Sequence, residues 1–391
     1  MEMALPGTVL NTPLAATHLA AGAKMGVWFG CALPDDFGDA AAEYRCASET
    51  VALIDKNYRA YLSFSGPDRV RYLNAILTNN VKDLRAGQGN VSLLLNPQGH
   101  ILAEIETHAF PDRLFCVSYA MIRARLIEVL DKFIIMDDVT LSDETQRFGT
   151  LAVEGPKAAM VAKDLTGLDL EQLSDLASVD VELLRSGIAS GAHKSRSAQE
   201  DTPGKNSIQG TIPCRIVKRS PGEVPGAEFV VETEKLGELW RILSDATRKH
   251  GGGPMGYTAL SALRLAQGVP WFGYDFGEKQ IPHEAGLQDS HISYTKGCYT
   301  GQEIVERVRS RGQVNRRRVE LLFSGDAMPE AGTVLTLDGK EMGYVTRSAN
   351  IPKAAGAGTR VIGMGYVRKE GTATGTTLQW ASGTATLAQF P

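Results

Sequence analysis

Lys296-Gly297-Cys298-Tyr299-Thr300-Gly301-Gln302-Glu303 packs a thiol, a cation, two glycines and a helix-start signal into eight residues. Thr300 suits an N-cap, and Glu303 stands three residues later, the spacing of a capping box. Val305 and Val308 then follow at helical spacing. Cys298 is therefore expected just ahead of a helix N-terminus. Free N–H groups and the helix dipole there favour a negative group, and Lys296 adds a positive charge nearby. Both effects lower a thiol pKa and raise the thiolate fraction. The competing reading is a small buried hydrophobe, since free cysteines are often buried.

The rest of the chain sets the bounds. With 391 residues it is too long for one small core, and two or three domains are expected. Its 41 basic and 45 acidic residues nearly balance, so no global attraction to a polyanion follows. Six arginines do crowd one stretch: Arg307, Arg309, Arg311, Arg316, Arg317 and Arg318. They fit either a solvated surface or a site for an anionic tail or partner. The five cysteines, Cys31, Cys46, Cys116, Cys214 and Cys298, are scattered with no C-x-x-C pair. That pattern suits a reducing compartment and gives no metal site. No secretory leader and no apolar run of about 18 residues is visible, so a cytoplasmic protein without a membrane span is expected. No stable nucleic-acid complex is expected.

Residues 1–45 read as an irregular lead-in, with a helix near Ala40–Glu43. Strands are expected from Ala52 to Phe64. Ser65-Gly66-Pro67-Asp68 then reads as a helix start, with Ser65 as cap. Val91–Leu95 and Ile101–Glu106 form a hairpin around the turn Asn96-Pro97-Gln98-Gly99, which puts Glu104 and Glu106 on one face. Gly187–Gly210 is polar and aperiodic and reads as a surface loop. A strand near Glu228–Val231, a helix over about Thr233–Arg248 and another over Thr258–Gln267 follow. Beyond Gln313, short β runs alternate with Gly turns. Asp338-Gly339 between Val334–Leu337 and Met342–Thr346 is a strong hairpin signal, and the segment reads as a small β-barrel.

The octapeptide resembles the signature of the YgfZ family of folate-binding proteins, Lys-Gly-Cys-(Phe/Tyr)-x-Gly-Gln-Glu, at every fixed position. That family is related to the T-protein of the glycine cleavage system, a tetrahydrofolate-dependent aminomethyltransferase. Shorter segments resemble the T-protein in order and spacing: Ser65–Asp68, Thr78-Asn79-Asn80-Val81, Ser92–Asn96, Glu154-Gly155-Pro156, Leu263-Arg264-Leu265, and Pro282–Leu287. The resemblance spans about residues 45–391. It implies an α+β fold: a folate-binding body of two interleaved subdomains over residues 46–312, then a C-terminal β-barrel over 313–391. Two departures point from the T-protein towards the YgfZ group. The T-protein's Gly-Gly-x-x-Asp-Asp run corresponds here to Gly99-His100-Ile101-Leu102-Ala103-Glu104, and its Lys-Gly-Asp-(Phe/Tyr)-Ile-Gly-Arg-Glu becomes a run with Cys298 and Gln302.

The resemblance implies a site for tetrahydrofolate. A carboxylate suits the pterin, since it accepts two N–H bonds from the amino-pyrimidine edge. Glu228 sits where the family has its pterin-binding glutamate, and Arg264 where it has an arginine near the folate. Alone, each reads equally as a strand acid and a helix-surface arginine. Glu104 either orients a folate nitrogen or points outward. His100 reads as an exposed turn residue, and His283-Glu284 lacks the second histidine of a zinc motif. The candidate site is thus Cys298 and Lys296 for catalysis, with Glu228, Arg264, Glu104, Tyr299 and Gln302 for the cofactor. Three functions stand open. The first is a YgfZ-type factor supporting iron–sulfur enzymes, including those that modify tRNA. The second is an aminomethyltransferase acting with a lipoyl carrier. The third is a folate-binding sensor without catalysis.

Overall fold

The computed structural model describes residues 9–184, 210–353 and 358–388. The loop expected at Gly187–Gly210 lies outside them except for Gly210. The chain has a mixed α/β fold with a closed six-stranded barrel at its C-terminal end.

Two sheets make the body, and they are interleaved in sequence. Ala52–Asp55 enters a six-stranded sheet, where it lies between Phe148–Glu154 and the short Gly253–Pro254. The chain then leaves to build a five-stranded antiparallel sheet, in the order Gly89–Leu95, Ile101–Ala109, Leu114–Tyr119, Arg59–Ser65, Thr140–Asp143. It returns to the first sheet with Phe148–Glu154, paired antiparallel to Gly226–Glu232. Strand alternation decides which side chains go inward. In Ile101–Ala109, Ile101, Ala103 and Ile105 are fully buried, while Leu102 and Glu104 are only half-buried. Glu104 and Glu106 therefore share a face, as the period of two requires.

Helices cover the outer faces. Leu236–Lys249 buries Leu236, Leu239, Trp240, Leu243 and Ala246 in one stripe against Leu151, Val153 and Phe229. Each such large apolar side chain contributes about 1.5–3 kcal/mol by leaving water. Arg69–Ile76 and Arg123–Lys132 cover the other sheet through Tyr72, Leu73, Leu126 and Leu130. The helix Tyr257–Ala266 is apolar almost all round and buries Tyr257 and every residue from Ala259 to Leu265. Such a helix belongs in the core. It packs against the strand Cys31–Asp36, the helix Ala40–Glu49 and the barrel strand Lys340–Pro352. Arg264 is carried into the interior with it.

Three local expectations change. The segment read as an irregular lead-in forms a three-stranded sheet and two helices between Leu10 and Glu49, with Asp39 capping the second through Ala41 and Ala42 N–H. Its strands are short and partly exposed, which hides their period. The first body helix starts at Arg69 instead of near Pro67, because Gly66 turns the chain at φ 97°. The signature helix is Gln302–Arg311, with Gly301 in place of Thr300 at its cap and no side-chain cap bond. Gly301 has φ 81°, and a Cβ there would lie 2.7 Å from the Asn96 carbonyl oxygen. That close approach to the hairpin sets the helix start. Asp338-Gly339 forms the expected tight turn, with both residues at positive φ.

Candidate functional site

A cavity of about 520 Å³ lies where the two sheets and the helix Tyr257–Ala266 meet. That size is ordinary for a small-molecule site. The five-stranded sheet contributes Arg59, Glu104, Glu106 and Tyr119, and the six-stranded sheet contributes Glu228. Lys56, on the turn between the sheets, Arg264, Asp175, Arg219 and Arg318 add further charge to its lining. Tyr58, Tyr119 and Trp271 supply flat apolar surface, with Tyr58 and Tyr119 stacked at 5.7 Å.

The charges are paired in a definite way. Arg59 grips Glu228 with two bonds, Nη1 to Oε2 at 2.5 Å and Nη2 to Oε1 at 2.7 Å. Glu106 takes Arg219 at 3.0 Å and stands 3.7 Å from Arg59. Behind them Glu154 pairs with Lys56 at 3.0 Å and with Arg264. Burial alone would raise the Glu106 and Glu154 carboxyls. Arg219 and Arg59 instead carry Glu106 down to about 2, and Arg264 and Lys56 do the same for Glu154. Glu228 moves the other way, pushed up by burial against the pull of Arg59. Among the described residues, three polar atoms of the lining are buried without a hydrogen-bond partner: Nη1 of Arg264, Oε2 of Glu106 and Oδ1 of Asn90. Such atoms are costly unless something completes them.

Three of the seven expected residues meet here: Glu228, Arg264 and Glu104. Glu104 points into the cavity, accepting from Tyr119 Oη at 2.6 Å. Cys298, Tyr299 and Gln302 do not line it, nor does Lys296. Lys296 donates to the carbonyls of Asn74 at 2.5 Å, Leu77, and Asn79 at 3.2 Å, and sits 5.1 Å above the Tyr299 ring. Burial brings its ammonium down to about 8. These bonds tie it to the turn after Arg69–Ile76, whose Asn79 lines the cavity. Tyr299 is buried with Leu95, Ile101 and Phe272. Cys298 is exposed. It does lie just ahead of the helix, which begins at Gln302, one residue beyond the start a Thr300 cap would give, while the Lys296 ammonium is held by backbone carbonyls.

The arginine cluster also resolves. Arg307 pairs with Glu303, Arg309 with Glu306, and Arg316 with Glu284. Arg318 donates to the carbonyls of Ala285 and Gly268 and reaches the cavity wall. Sequence reading missed Lys56, Arg59, Arg219, Tyr119 and His291. Arg59 did carry a signal, as a charge leading an otherwise apolar strand. Glu106 was on the right face but was not put forward.

Comparison with known proteins agrees with this architecture. Residues 14–185 match the family model of the GCVT N-terminal domain. The chain is 24% identical over 369 residues to an aminomethyltransferase of Streptomyces avermitilis, covering 94% of this chain and 91% of that protein. It is 27% identical over 344 residues to one from Herpetosiphon aurantiacus, covering 88% and 86%. The crystal structure of glycine cleavage system aminomethyltransferase T from Bartonella henselae superposes with a TM-score of 0.81 at 22% identity, over 98% of both chains. Among the described residues no helix is long and apolar enough to cross a membrane. The two interleaved sheets, the cavity between them and the closing barrel thus give this chain the fold of that aminomethyltransferase structure, with residues 14–185 similar to the GCVT N-terminal domain.

Proposed function

We propose that the chain binds tetrahydrofolate in the central cavity and acts as a one-carbon transferase of the aminomethyltransferase type. The observation that carries this is two buried atoms that lack a hydrogen bond, Arg264 Nη1 and Glu106 Oε2, beside an aromatic-walled cavity. One calls for an acceptor and the other for a donor, which a polar heterocycle supplies together. Glu228 has lone pairs left after its two bonds to Arg59, so it accepts from an amino-pyrimidine edge while still paired. Tyr58, Tyr119 and Trp271 offer faces for a flat ring. Folate bound there supplies the one-carbon carrier, and Glu104 stands ready to hold or yield a proton.

The names borne by the relatives favour aminomethyl transfer, the reading that the two signature departures had placed second. A YgfZ-type role in supporting iron–sulfur enzymes, including tRNA-modifying ones, is the second reading. The exposed Cys298 within its full octapeptide favours it. Either role is placed in the cytoplasm.

Isothermal titration with tetrahydrofolate tests the common part, and a glycine-cleavage exchange assay separates the two. Binding with exchange supports the transferase. Binding without exchange, together with loss of complementation by Cys298→Ser in a strain lacking the homologous gene, supports the second. No binding removes both.

A further inference from the structure

A chain of hydrogen bonds leads out of the cavity through a residue that the sequence did not single out. Glu104 accepts from Tyr119 Oη at Oε2, 2.6 Å, while its Oε1 lies 3.0 Å from His291 Nε2. The other ring nitrogen, Nδ1, lies 2.7 Å from Ser290 Oγ. All four residues line the cavity, and Ser290 is exposed where His291 is 7% exposed. The backbone is fixed as well, since the buried Thr78 donates its hydroxyl to the His291 carbonyl at 2.6 Å. A histidine that merely filled space would not need both nitrogens engaged in line between an acid and an outer hydroxyl.

The proton positions follow from the partners. An ionised Glu104 only accepts, so Nε2 carries the hydrogen and Nδ1 accepts from Ser290. We propose that His291 is the positioning residue and proton relay of this cavity, holding Glu104 towards the bound ligand and linking it to solvent through Ser290. The inference rests on the folate reading only for the chemistry that the proton serves.

Inward delivery balances as follows. Ser290 gives its hydroxyl hydrogen to Nδ1 and takes one from solvent. Nε2 releases its hydrogen to Glu104, whose neutral carboxyl protonates a nitrogen of the ligand and becomes a carboxylate again. One proton has moved from solvent to ligand, and no electron has changed hands. The ring is left with hydrogen on Nδ1, the state needed to take a proton from Glu104 and pass it out. A reaction that adds and then removes a proton therefore resets the relay.

The first test needs no folate. Ring ¹⁵N spectra of the full chain at neutral pH should show His291 with hydrogen on Nε2, and its signals should move in Glu104→Gln and in Ser290→Ala. Hydrogen on Nδ1, or no response to Glu104→Gln, overturns the proposal. The second test uses His291→Gln, whose amide keeps a donor for Glu104 but has no second ring nitrogen. Tetrahydrofolate affinity should stay within about threefold, while kcat falls by about tenfold to a hundredfold and recovers with added imidazole. An unchanged kcat and pH profile in an active enzyme overturns the relay. A wild type with the expected tautomer and no one-carbon transfer sinks the functional reading, while the positioning of Glu104 stands.

Discussion

Glu228 shows what one residue in this cavity must reconcile. It is 2% exposed, bound twice by Arg59, and close enough to Glu106 to feel its charge. A neutral isostere keeps the shape but loses the charge-assisted bonds. Glu228→Gln is therefore expected to weaken tetrahydrofolate binding by about 1.5–3 kcal/mol, read by titration calorimetry. Unchanged affinity would remove Glu228 from the site. The thiols give a second prediction. Burial pushes Cys31 up to about 11 and Cys116 up to about 12, and it raises Cys214 further. Cys298 alone among the five is exposed, and Cys46 is half-buried. Iodoacetamide at neutral pH, followed by mass spectrometry, should label Cys298 first, Cys46 later and the three buried thiols least. Labelling of Cys116 ahead of Cys298 would contradict the burial seen here. Glu228, Arg264 and Glu104 were legible from sequence because the resemblance marked their positions. Arg59 and His291 were not, since their meaning lies in partners 169 and 187 residues away.

At the scale of elements, the signature loop is a brace between hairpin and helix. Gly301 leaves only 2.7 Å to the Asn96 carbonyl oxygen for a Cβ, and a Cβ on Gly99 would meet Ile304 at 2.9 Å. Both glycines have positive φ, 81° and 77°. Gly301→Ala should cost about 1–3 kcal/mol through strain and displacement of the hairpin. Urea unfolding measures it, and a loss below about 0.5 kcal/mol would mean that the loop yields freely. Gly301 of the octapeptide thus answers to packing against the hairpin, while nothing stands within 4 Å of a Cβ on Gly297. Elements with a sustained period were legible to within a few residues: the helix Leu236–Lys249, the hairpin at Asp338-Gly339, and the face shared by Glu104 and Glu106. The N-terminal strands were not, because Lys24–Trp28 is largely exposed and pairs only with Cys31–Asp36.

The molecule buries several titratable groups, among them His108, Glu106, Glu154 and Glu228, and that makes its stability depend on pH in a predictable sense. His108 is 3% exposed, and burial lowers it from its ordinary 6.5 to about 4. Between those values the unfolded chain binds a proton that the folded chain refuses. Its contribution is therefore complete above pH 6.5 and lost as pH falls towards 4. Glu106 and Glu154, lowered from 4.5 to about 2, act in the same direction further down: their contribution is complete above 4.5 and lost as pH falls through 2. Glu228, which is raised, acts in the opposite sense above 4.5, so it offsets part of the His108 loss and leaves the carboxylate stage below 4.5 untouched. Acid should thus weaken the fold in two stages, the first set by one imidazole and worth on the order of 3 kcal/mol. Unfolding free energies from urea titrations at pH 7, 5.5 and 4 should fall in sequence. In His108→Leu the decline across that range should flatten by about one proton's slope, while the steeper loss below pH 4 persists. The variant must still fold for the comparison to count, and circular dichroism at pH 7 establishes that. If wild type and His108→Leu lose stability in parallel from pH 7 to 4, the buried imidazole is not the group that titrates. The acid sensitivity would then belong to the carboxylates around the cavity.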